Sequence, residues 1–336
     1  MLMRHAWFTA MLALAVALVP APALAQKQTV VVYTAIENEQ ITDYMRTLNK
    51  SHPNLDVKML RLSTGDIAAR FMAEKDNMQA EVIWGVAATN LLVFKNAGLL
   101  EPYAPKGLEK IQPLFRDKAN PPSWVGIDIY MSAFCFNTDV GKKNNLPKPE
   151  SWADLTKPVY KGHVVMPNPA SSGTGYLSVA SILQRMGETE GWKYLDALNV
   201  NIAEYTKSGS KPCKDAAAGE RAIGVSFEYV ALEMKKKGSP VEMVLPKEGS
   251  GYEMEANALT KKGAKNPAAK QFLDWAASDE AMALYAKYFA AVGVAGHPVP
   301  EGLPKDITKV VYPNDFDWSA KNRDRILAEW SKRYAK

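Results

Sequence analysis

Histidine and cysteine, which bind transition metals and serve as nucleophiles and bases, are scarce in this sequence. The chain of 336 residues has four histidines and two cysteines. The histidines are far apart, and the sequence contains neither a His-Glu-x-x-His motif nor a Cys/His cluster. No histidine can be assigned as the base of a serine nucleophile. The composition therefore gives no support to a metalloenzyme or a serine hydrolase.

A large excess of charge is also absent. The formal net charge is +5, from 41 basic and 36 acidic residues. Short lysine runs at 235–237 and 261–262 are typical of solvated faces. Basic and aromatic residues do not alternate as they do on nucleic-acid-binding surfaces, so we expect no nucleic-acid partner.

Long apolar runs are missing except at the start of the chain. Residues 6–19 are apolar, follow Arg4 and His5, and precede an Ala23-Leu24-Ala25 cleavage motif. The run is too short for a comfortable membrane span. We expect a signal peptide over residues 1–25, cleavage after Ala25 and export to the periplasm. A retained membrane anchor is the alternative.

Export bears on the two cysteines, because disulfides persist in oxidising compartments. We expect one disulfide between Cys135 and Cys213. Cys135 lies in an apolar strand-like run and Cys213 opens a helix, so two buried free thiols are the alternative.

Strand-like and helix-like segments alternate along residues 26–336, a chain too long for one compact core. This alternation predicts an α/β fold with parallel sheets. We expect two lobes that close on a ligand in the cleft between them, at the carboxyl ends of the strands. The predicted crossing points are near 125–130 and 253–259. The first lobe comprises residues 26–127 plus 252–300, and the second comprises 128–251 plus 301–336.

Turns rich in serine, threonine and glycine follow several predicted strands. The longest, residues 167–175, precedes a helix whose first N–H groups and dipole favour an anion such as a phosphate-like group. No Gly-Lys-Ser/Thr follows, so it is not a P-loop. Ordinary helix capping is the alternative. The residues predicted to bind the anion are Thr34, Ser63, Thr64, Ser171, Ser172, Gly173, Thr174 and Ser208.

Acidic side chains at other strand ends would repel an anion but could hold an ammonium group, and aromatic side chains could offer a cation the face of a ring. Glu37 and Asp66 have an alternative role as first-turn acids that complement a helix dipole. Trp84 has an alternative place in the core. A ligand with an anion at one end and an amine at the other would satisfy both sets. The predicted amine-binding residues are Glu37, Asp66, Trp84, Glu228 and Tyr229.

The sequence resembles the periplasmic 2-aminoethylphosphonate-binding proteins of ABC transporters, which are similar to ferric-ion-binding proteins. The resemblance covers essentially all of the mature chain, and it is most specific at residues 167–175 and 208–213. The matching segments are residues 32–35, 63–65, 73–77, 84–85, 100–108, 166–175, 208–213, 227–229 and 322–330.

The resemblance implies the type 2 periplasmic binding protein fold, two α/β lobes joined by two crossing strands. It implies no cofactor, capture of 2-aminoethylphosphonate, and delivery to ABC transporter permease subunits; we expect a monomer. Ferric-binding relatives hold a synergistic anion at the turn matching residues 172–174, which implies a phosphonate site there. Their pair of iron-binding tyrosines corresponds to Glu228 and Tyr229, and their first-loop iron ligand to Glu37. A carboxylate in place of a phenolate suits an amine better than iron.

Other ligands and one other class of protein stay open. Another phosphorylated solute, such as a sugar phosphate or phosphate itself, could use the same anion site, and ferric iron is the next alternative. An exported phosphatase or phosphonate hydrolase would need a metal cluster or an activated nucleophile with a nearby base.

Overall fold

The computed structural model describes residues 27–335, so the predicted signal peptide lies outside the described residues. The chain forms two α/β lobes that share one continuous sheet. The expected two-lobed periplasmic binding protein fold is confirmed. Among the described residues, no helix is both long and apolar enough to cross a membrane.

The first lobe begins with alternating strands and helices. Its elements are β1 (Gln28–Thr34), α1 (Asn38–Ser51), β2 (Leu55–Arg61), α2 (Thr64–Ala73), β3 (Val82–Ala87), α3 (Ala88–Asn96) and β4 (Leu100–Glu101). Strand β1 runs parallel to β2 on one side and to β3 on the other. Helices α1 and α2 start just beyond β1 and β2, so their first turns lie at one edge of the sheet.

The second lobe repeats this arrangement after a long buried strand. Its elements are β5 (Val125–Asn137), α4 (Thr138–Lys143), β6 (Val164–Pro167), α5 (Gly173–Met186), α6 (Glu188–Asn199), β7 (Ile202–Thr206), α7 (Lys211–Ala217), β8 (Ile223–Phe227), α8 (Glu228–Lys236) and β9 (Val241–Val244). Strand β6 is parallel to both β7 and β8. Helices α5, α7 and α8 begin beyond the carboxyl ends of these three strands, facing the first lobe.

Two crossing strands connect the lobes. The chain returns through β10 (Tyr252–Thr260) and ends with α9 (Pro267–Ala276), α10 (Asp279–Tyr285), β11 (Ala291–Val292) and α11 (Phe316–Tyr334). The first half of β5 pairs with β10, and its second half pairs with β8 and β9. Strand β10 pairs in turn with β3. Helices α9 and α10 are separate, because Ser278 caps α10 by accepting a hydrogen bond from the Ala281 amide.

A disulfide stabilises the second lobe, and the last helix contacts both lobes. A disulfide joins Cys135 on β5 to Cys213 on α7, and both residues are fully buried. Helix α11 packs against α3 of the first lobe, whereas its residues Ile326 and Trp330 lie in the core of the second lobe. Helix α11 therefore contacts both lobes. The residue limits of the two lobes stay a prediction.

Candidate functional site

A cavity lies between the lobes, where the helix starts of both lobes face the crossing strands. It contains about 440 Å³ of space, including the part open to solvent. The lining residues are Ala35, Glu37, Gln40, Arg61, Ser63 and Thr64 from the first lobe, Ser172, Gly173, Thr174, Gly209 and Phe227 from the second, and Tyr130 and Glu255 from the crossing strands. Five of the predicted anion-binding residues and one predicted amine-binding residue, Glu37, therefore lie together.

The second lobe contributes the start of α5. Ser172 is the N-cap residue, and its hydroxyl oxygen accepts a hydrogen bond from the Gly175 amide at 3.2 Å. The amides of Gly173 and Thr174 are at the first two helical positions, where N–H groups have no partner within a helix. This wall of the cavity thus combines amide donors, a hydroxyl group and the positive end of a helix dipole.

The loop before α7 approaches the same helix start closely. A β-carbon at Gly209 would lie 2.3 Å from Oγ1 of Thr174, so only glycine fits without displacement. The Ser226 hydroxyl holds the loop by donating to the Gly209 carbonyl at 2.7 Å. Ser208 does not line the cavity, because its hydroxyl oxygen contacts Ser210 and accepts from the Lys211 amide.

The first lobe contributes the start of α2, and the two lobes touch there. The Gly65 amide donates to the Ser171 carbonyl at 2.8 Å, across the cleft. A β-carbon at Gly173 would lie 2.9 Å from Oγ1 of Thr64. The lobes are therefore closed around the cavity, with a backbone hydrogen bond between them.

Arg61, a residue missed from the sequence, brings a cation to the cavity. Its Nη2 atom is 3.0 Å from Oε1 of Glu37, and its Nε donates to the Ile36 carbonyl at 3.0 Å. Glu37 also caps α1 and lies 3.6 Å from the ammonium group of Lys214 in the second lobe. Glu37 is thus an acid at the start of a helix, in agreement with its alternative interpretation, and it also lines the cavity.

Glu255, also missed, places a carboxylate on β10 at the centre of the cleft. The side chain is half-buried and pairs in register with Asp128 on β5. Burial, together with the negative charge of Glu37, raises the pKa of Glu255 to about 8. Asp128 is fully buried, and burial raises the pKa of its carboxyl well above the ordinary range.

Glu228, predicted as the main amine partner, is fully buried at the first position of α8. Its Oε2 atom accepts a hydrogen bond from the Met131 amide on β5 at 2.7 Å. Burial raises its pKa to about 8. Its neighbour Phe227 lines the cavity, whereas Glu228 itself does not. Oε1 of Glu228 has no hydrogen-bond partner in the described part of the chain, and a contact with the ligand stays a prediction.

The placement of Trp84 corrects a prediction. Its side chain is fully buried, its indole N–H donates to the Tyr285 hydroxyl at 3.1 Å, and its ring packs against Phe272. Trp84 therefore belongs to the core of the first lobe, which was the alternative interpretation of this residue. It cannot offer its ring to a ligand in the cleft.

Four further predicted residues lie near the cavity without lining it. The Thr34 side chain is fully buried and accepts from the Ile36 amide. The Ser171 hydroxyl donates to the Lys207 carbonyl at 2.8 Å. Asp66 is half-buried in the first turn of α2. Tyr229 lines a separate small pocket together with Glu37 and Lys214.

Some of the missed residues carry a signal in the sequence. Arg61 is the last residue of β2 and Phe227 the last of β8, so the rule that ligands bind at the carboxyl ends of strands could have found both. Tyr130 and Glu255 lie inside the crossing strands, where the sequence pattern gives no such signal.

Comparisons with known proteins identify the family of the chain. Residues 86–318 match the family model described as bacterial extracellular solute-binding protein. An uncharacterized protein of Haemophilus influenzae is 35% identical over 286 residues, which cover 82% of each chain. The probable ABC transporter periplasmic-binding protein y4fP of Sinorhizobium fredii is 27% identical over 280 residues, 79% of this chain and 75% of that protein.

A solved structure is similar over nearly the whole length. The periplasmic binding protein AfuA from Actinobacillus pleuropneumoniae, with exogenous fructose-6-phosphate bound, has a TM-score of 0.84 at 31% identity. The match covers 91% of this chain and 98% of AfuA. The chain belongs to the bacterial extracellular solute-binding protein family, and the class of protein expected from the sequence is confirmed.

Proposed function

We propose that this protein is the periplasmic binding protein of an ABC importer and captures 2-aminoethylphosphonate between its lobes. One observation carries the proposal: the same cavity is lined by hydrogen-bond donors of two helix starts and by the carboxylates of Glu37 and Glu255. A zwitterion with a phosphonate and an ammonium group matches both sets of groups.

The phosphonate binds at the starts of α5 and α2. The amides of Gly173 and Thr174 and the hydroxyls of Ser172, Ser63 and Thr64 supply several donors, and the Arg61 guanidinium lines the same cavity. Burial strengthens hydrogen bonds to an anion, because the charge-assisted bond forms in a region of low dielectric. The close approach at Gly209 keeps the second-lobe part of this site free of a side chain.

The ammonium group binds where acidic side chains line the cavity. Glu37 and Glu255 supply these side chains, and Tyr130 and Phe227 add aromatic rings whose centroids are 5.5 Å apart. An ammonium group near an aromatic face gains about 0.5–2 kcal/mol, in addition to its attraction to a carboxylate.

Delivery follows from closure. The closed form, with α2 against α5, presents the bound solute to membrane permease subunits. The similarity of this chain to the probable ABC transporter periplasmic-binding protein y4fP supports this role. For the protein to reach the periplasm, residues 1–25 must direct its export, and we expect cleavage after Ala25. Mass spectrometry of the protein secreted into the periplasm tests this, because a retained leader would leave a longer chain.

A sugar phosphate is the second candidate, favoured by the similarity to AfuA with fructose-6-phosphate bound. It would use the same donors for its phosphate but would leave Glu255 opposite hydroxyl groups. Ferric iron, the remaining ligand alternative, is tested by colour, because tyrosinate–iron complexes absorb visible light.

Calorimetric titration of residues 26–336 tests the proposal. The ligands are 2-aminoethylphosphonate, ethylphosphonate, fructose 6-phosphate, phosphate and putrescine. Tight binding of 2-aminoethylphosphonate alone supports both sides of the site. Tighter binding of fructose 6-phosphate would replace the proposal with a sugar-phosphate importer, and equal binding of phosphate would remove the amine from it.

A further inference from the structure

Glu255 differs from Glu37, the other acid that lines the cavity, because it has no protein partner. In residues 27–335, no hydrogen bond or ion pair engages its carboxylate, which is exposed to the cavity. A half-buried carboxylate without a partner loses hydration and gains nothing in return. It is therefore the group in the cleft with the most to gain from a cationic ligand.

Glu37 is poorly suited to the same role. Its carboxylate is 3.0 Å from the Arg61 guanidinium and 3.6 Å from the Lys214 ammonium group, and it also caps α1. A ligand ammonium at Glu37 would have to compete with two cations already present. Repulsion from these cations would offset part of the attraction between the ligand's amine and the shared carboxylate.

The surroundings of Glu255 are mainly acidic. The titratable and charged groups that face it are Glu37 before α1, Tyr44 on α1, Arg61 on β2, Asp128 and Tyr130 on β5, Glu228 on α8 and Tyr285 on α10. Arg61 is the one cation among these described groups. With a pKa of about 8, raised by burial and by Glu37, Glu255 holds a proton in most molecules at pH 7.

We propose that Glu255 recognises the ammonium group of the ligand and that this contact expels the proton of Glu255 to bulk water. The inference rests on the proposed function, because it requires a solute that carries an amine. The ammonium group keeps its protons and donates a hydrogen bond to the newly formed carboxylate, so the proton that leaves for each amine bound is the one that Glu255 held. Glu255 is then the residue that selects an aminophosphonate over a phosphonate without an amine.

The test compares the wild type with Glu255→Gln, which imitates the protonated carboxyl but cannot ionise. Titrations at pH 7 in two buffers of different ionisation enthalpy give both the affinity and the number of protons released. We expect the substitution to weaken 2-aminoethylphosphonate by about 10- to 100-fold, the range for a hydrogen bond to a charged group. Ethylphosphonate should change by less than about threefold, because it makes no contact with Glu255.

Proton release provides the decisive readout. With 2-aminoethylphosphonate, the wild type should release at least about half a proton more per ligand than Glu255→Gln, given a pKa near 8. Comparing two proteins with the same ligand cancels the protonation change of the phosphonate itself. Glu255→Asp, which can still ionise, should bind more weakly than the wild type yet retain the release.

Glu39→Gln is the matched control, because it makes the same substitution at an exposed side chain that does not line the cavity, 3.7 Å from Lys214. We expect it to change affinity by less than about twofold, since exposed charges are screened. If Glu255→Gln binds 2-aminoethylphosphonate as the wild type does, or releases as many protons, the inference is wrong while the proposed function stands. If the wild type does not bind 2-aminoethylphosphonate, both are rejected.

Discussion

Gly65 lies where the two lobes meet, and replacing it with alanine should prevent full closure. The added β-carbon would lie 2.0 Å from the carbonyl oxygen of Ala170 and 2.7 Å from the carbonyl carbon of Ser171. Both are backbone atoms of the opposite lobe and cannot rotate away as the end of a flexible side chain would. Since ordinary contact starts at 3.4 Å, the lobes must separate by about 1.4 Å (3.4 minus 2.0).

The energy of this separation follows from the contacts that it breaks. The hydrogen bond from the Gly65 amide to the Ser171 carbonyl, 2.8 Å long, would stretch to about 4 Å and be lost. That bond contributes about 0.5–1.5 kcal/mol, and the ligand loses contacts of similar size with one wall of the cavity. The total, about 1–3 kcal/mol, corresponds to about 5- to 150-fold weaker binding.

The free energy of unfolding of Gly65→Ala should rise slightly or stay unchanged, although its affinity falls. Gly65 is within α2, where alanine is favoured over glycine by about 0.5–1 kcal/mol, and the open form of the protein has no clash to oppose this. Calorimetry with 2-aminoethylphosphonate gives the affinity, small-angle X-ray scattering gives the compaction on binding, and urea denaturation gives the free energy of unfolding. Ala69→Gly, on an exposed position of the same helix, is the control and should lower stability without changing affinity. If Gly65→Ala binds as tightly and compacts as fully as the wild type, α2 and α5 do not meet in the liganded form.

Three other variants test other parts of the molecule. Gly209→Ala places a β-carbon 2.3 Å from Oγ1 of Thr174, so it should weaken 2-aminoethylphosphonate, ethylphosphonate and phosphate alike in calorimetry; a loss confined to the amine-bearing ligand would contradict an anion site there. Replacing both Cys135 and Cys213 with serine should lower the free energy of unfolding in urea by about 2–5 kcal/mol, because the bond constrains a long loop of the unfolded chain; unchanged stability would mean that the bond does not form. Glu228 has a folded pKa raised to about 8, so its proton stabilises the folded state at low pH and that contribution is lost as the pH rises from about 4.5 through 8. Glu228→Gln should therefore flatten the fall in unfolding free energy over that window, by up to about 1.4 kcal/mol per pH unit, and an unchanged slope in urea denaturation would show that Glu228 is ionised at neutral pH.

The anion side of the site could be predicted because backbone geometry determines it. An apolar strand followed by a serine- and glycine-rich turn and a helix places amide donors at the sheet edge, whatever the rest of the fold does. Helix α5 begins at Gly173 rather than at Tyr176, where the helix-like run was expected to start, because Ser172 caps it. This shift brings the amides of Gly173 and Thr174 into the first helical turn and makes the turn a better donor site than the sequence suggested.

Side chains at strand ends were harder to place, because long-range packing decides which way they lie. Trp84 comes after the apolar residues Val82 and Ile83, a position that suits a residue facing the cleft. Its partners Phe272 and Tyr285 are about 200 residues further along the chain. Nothing near Trp84 in the sequence distinguishes a ring in the core from a ring in the cleft.

The carboxylates show where sequence reasoning ends in this fold. Glu228 has the expected position at the end of an apolar strand, yet its side chain accepts a hydrogen bond from the Met131 amide on the crossing strand and leaves the cavity to Phe227. Glu255 has an unremarkable position within a strand, yet the antiparallel pairing of β10 with β5 sets it at the centre of the cleft. A donor formed by a helix start is fixed by local structure, whereas a carboxylate reaches the ligand only if both lobes and both crossing strands leave it unpaired. The amine side of the site is therefore a property of the closed molecule, and substitutions at Glu255 and Gly65 should both affect it although the two residues lie on different elements.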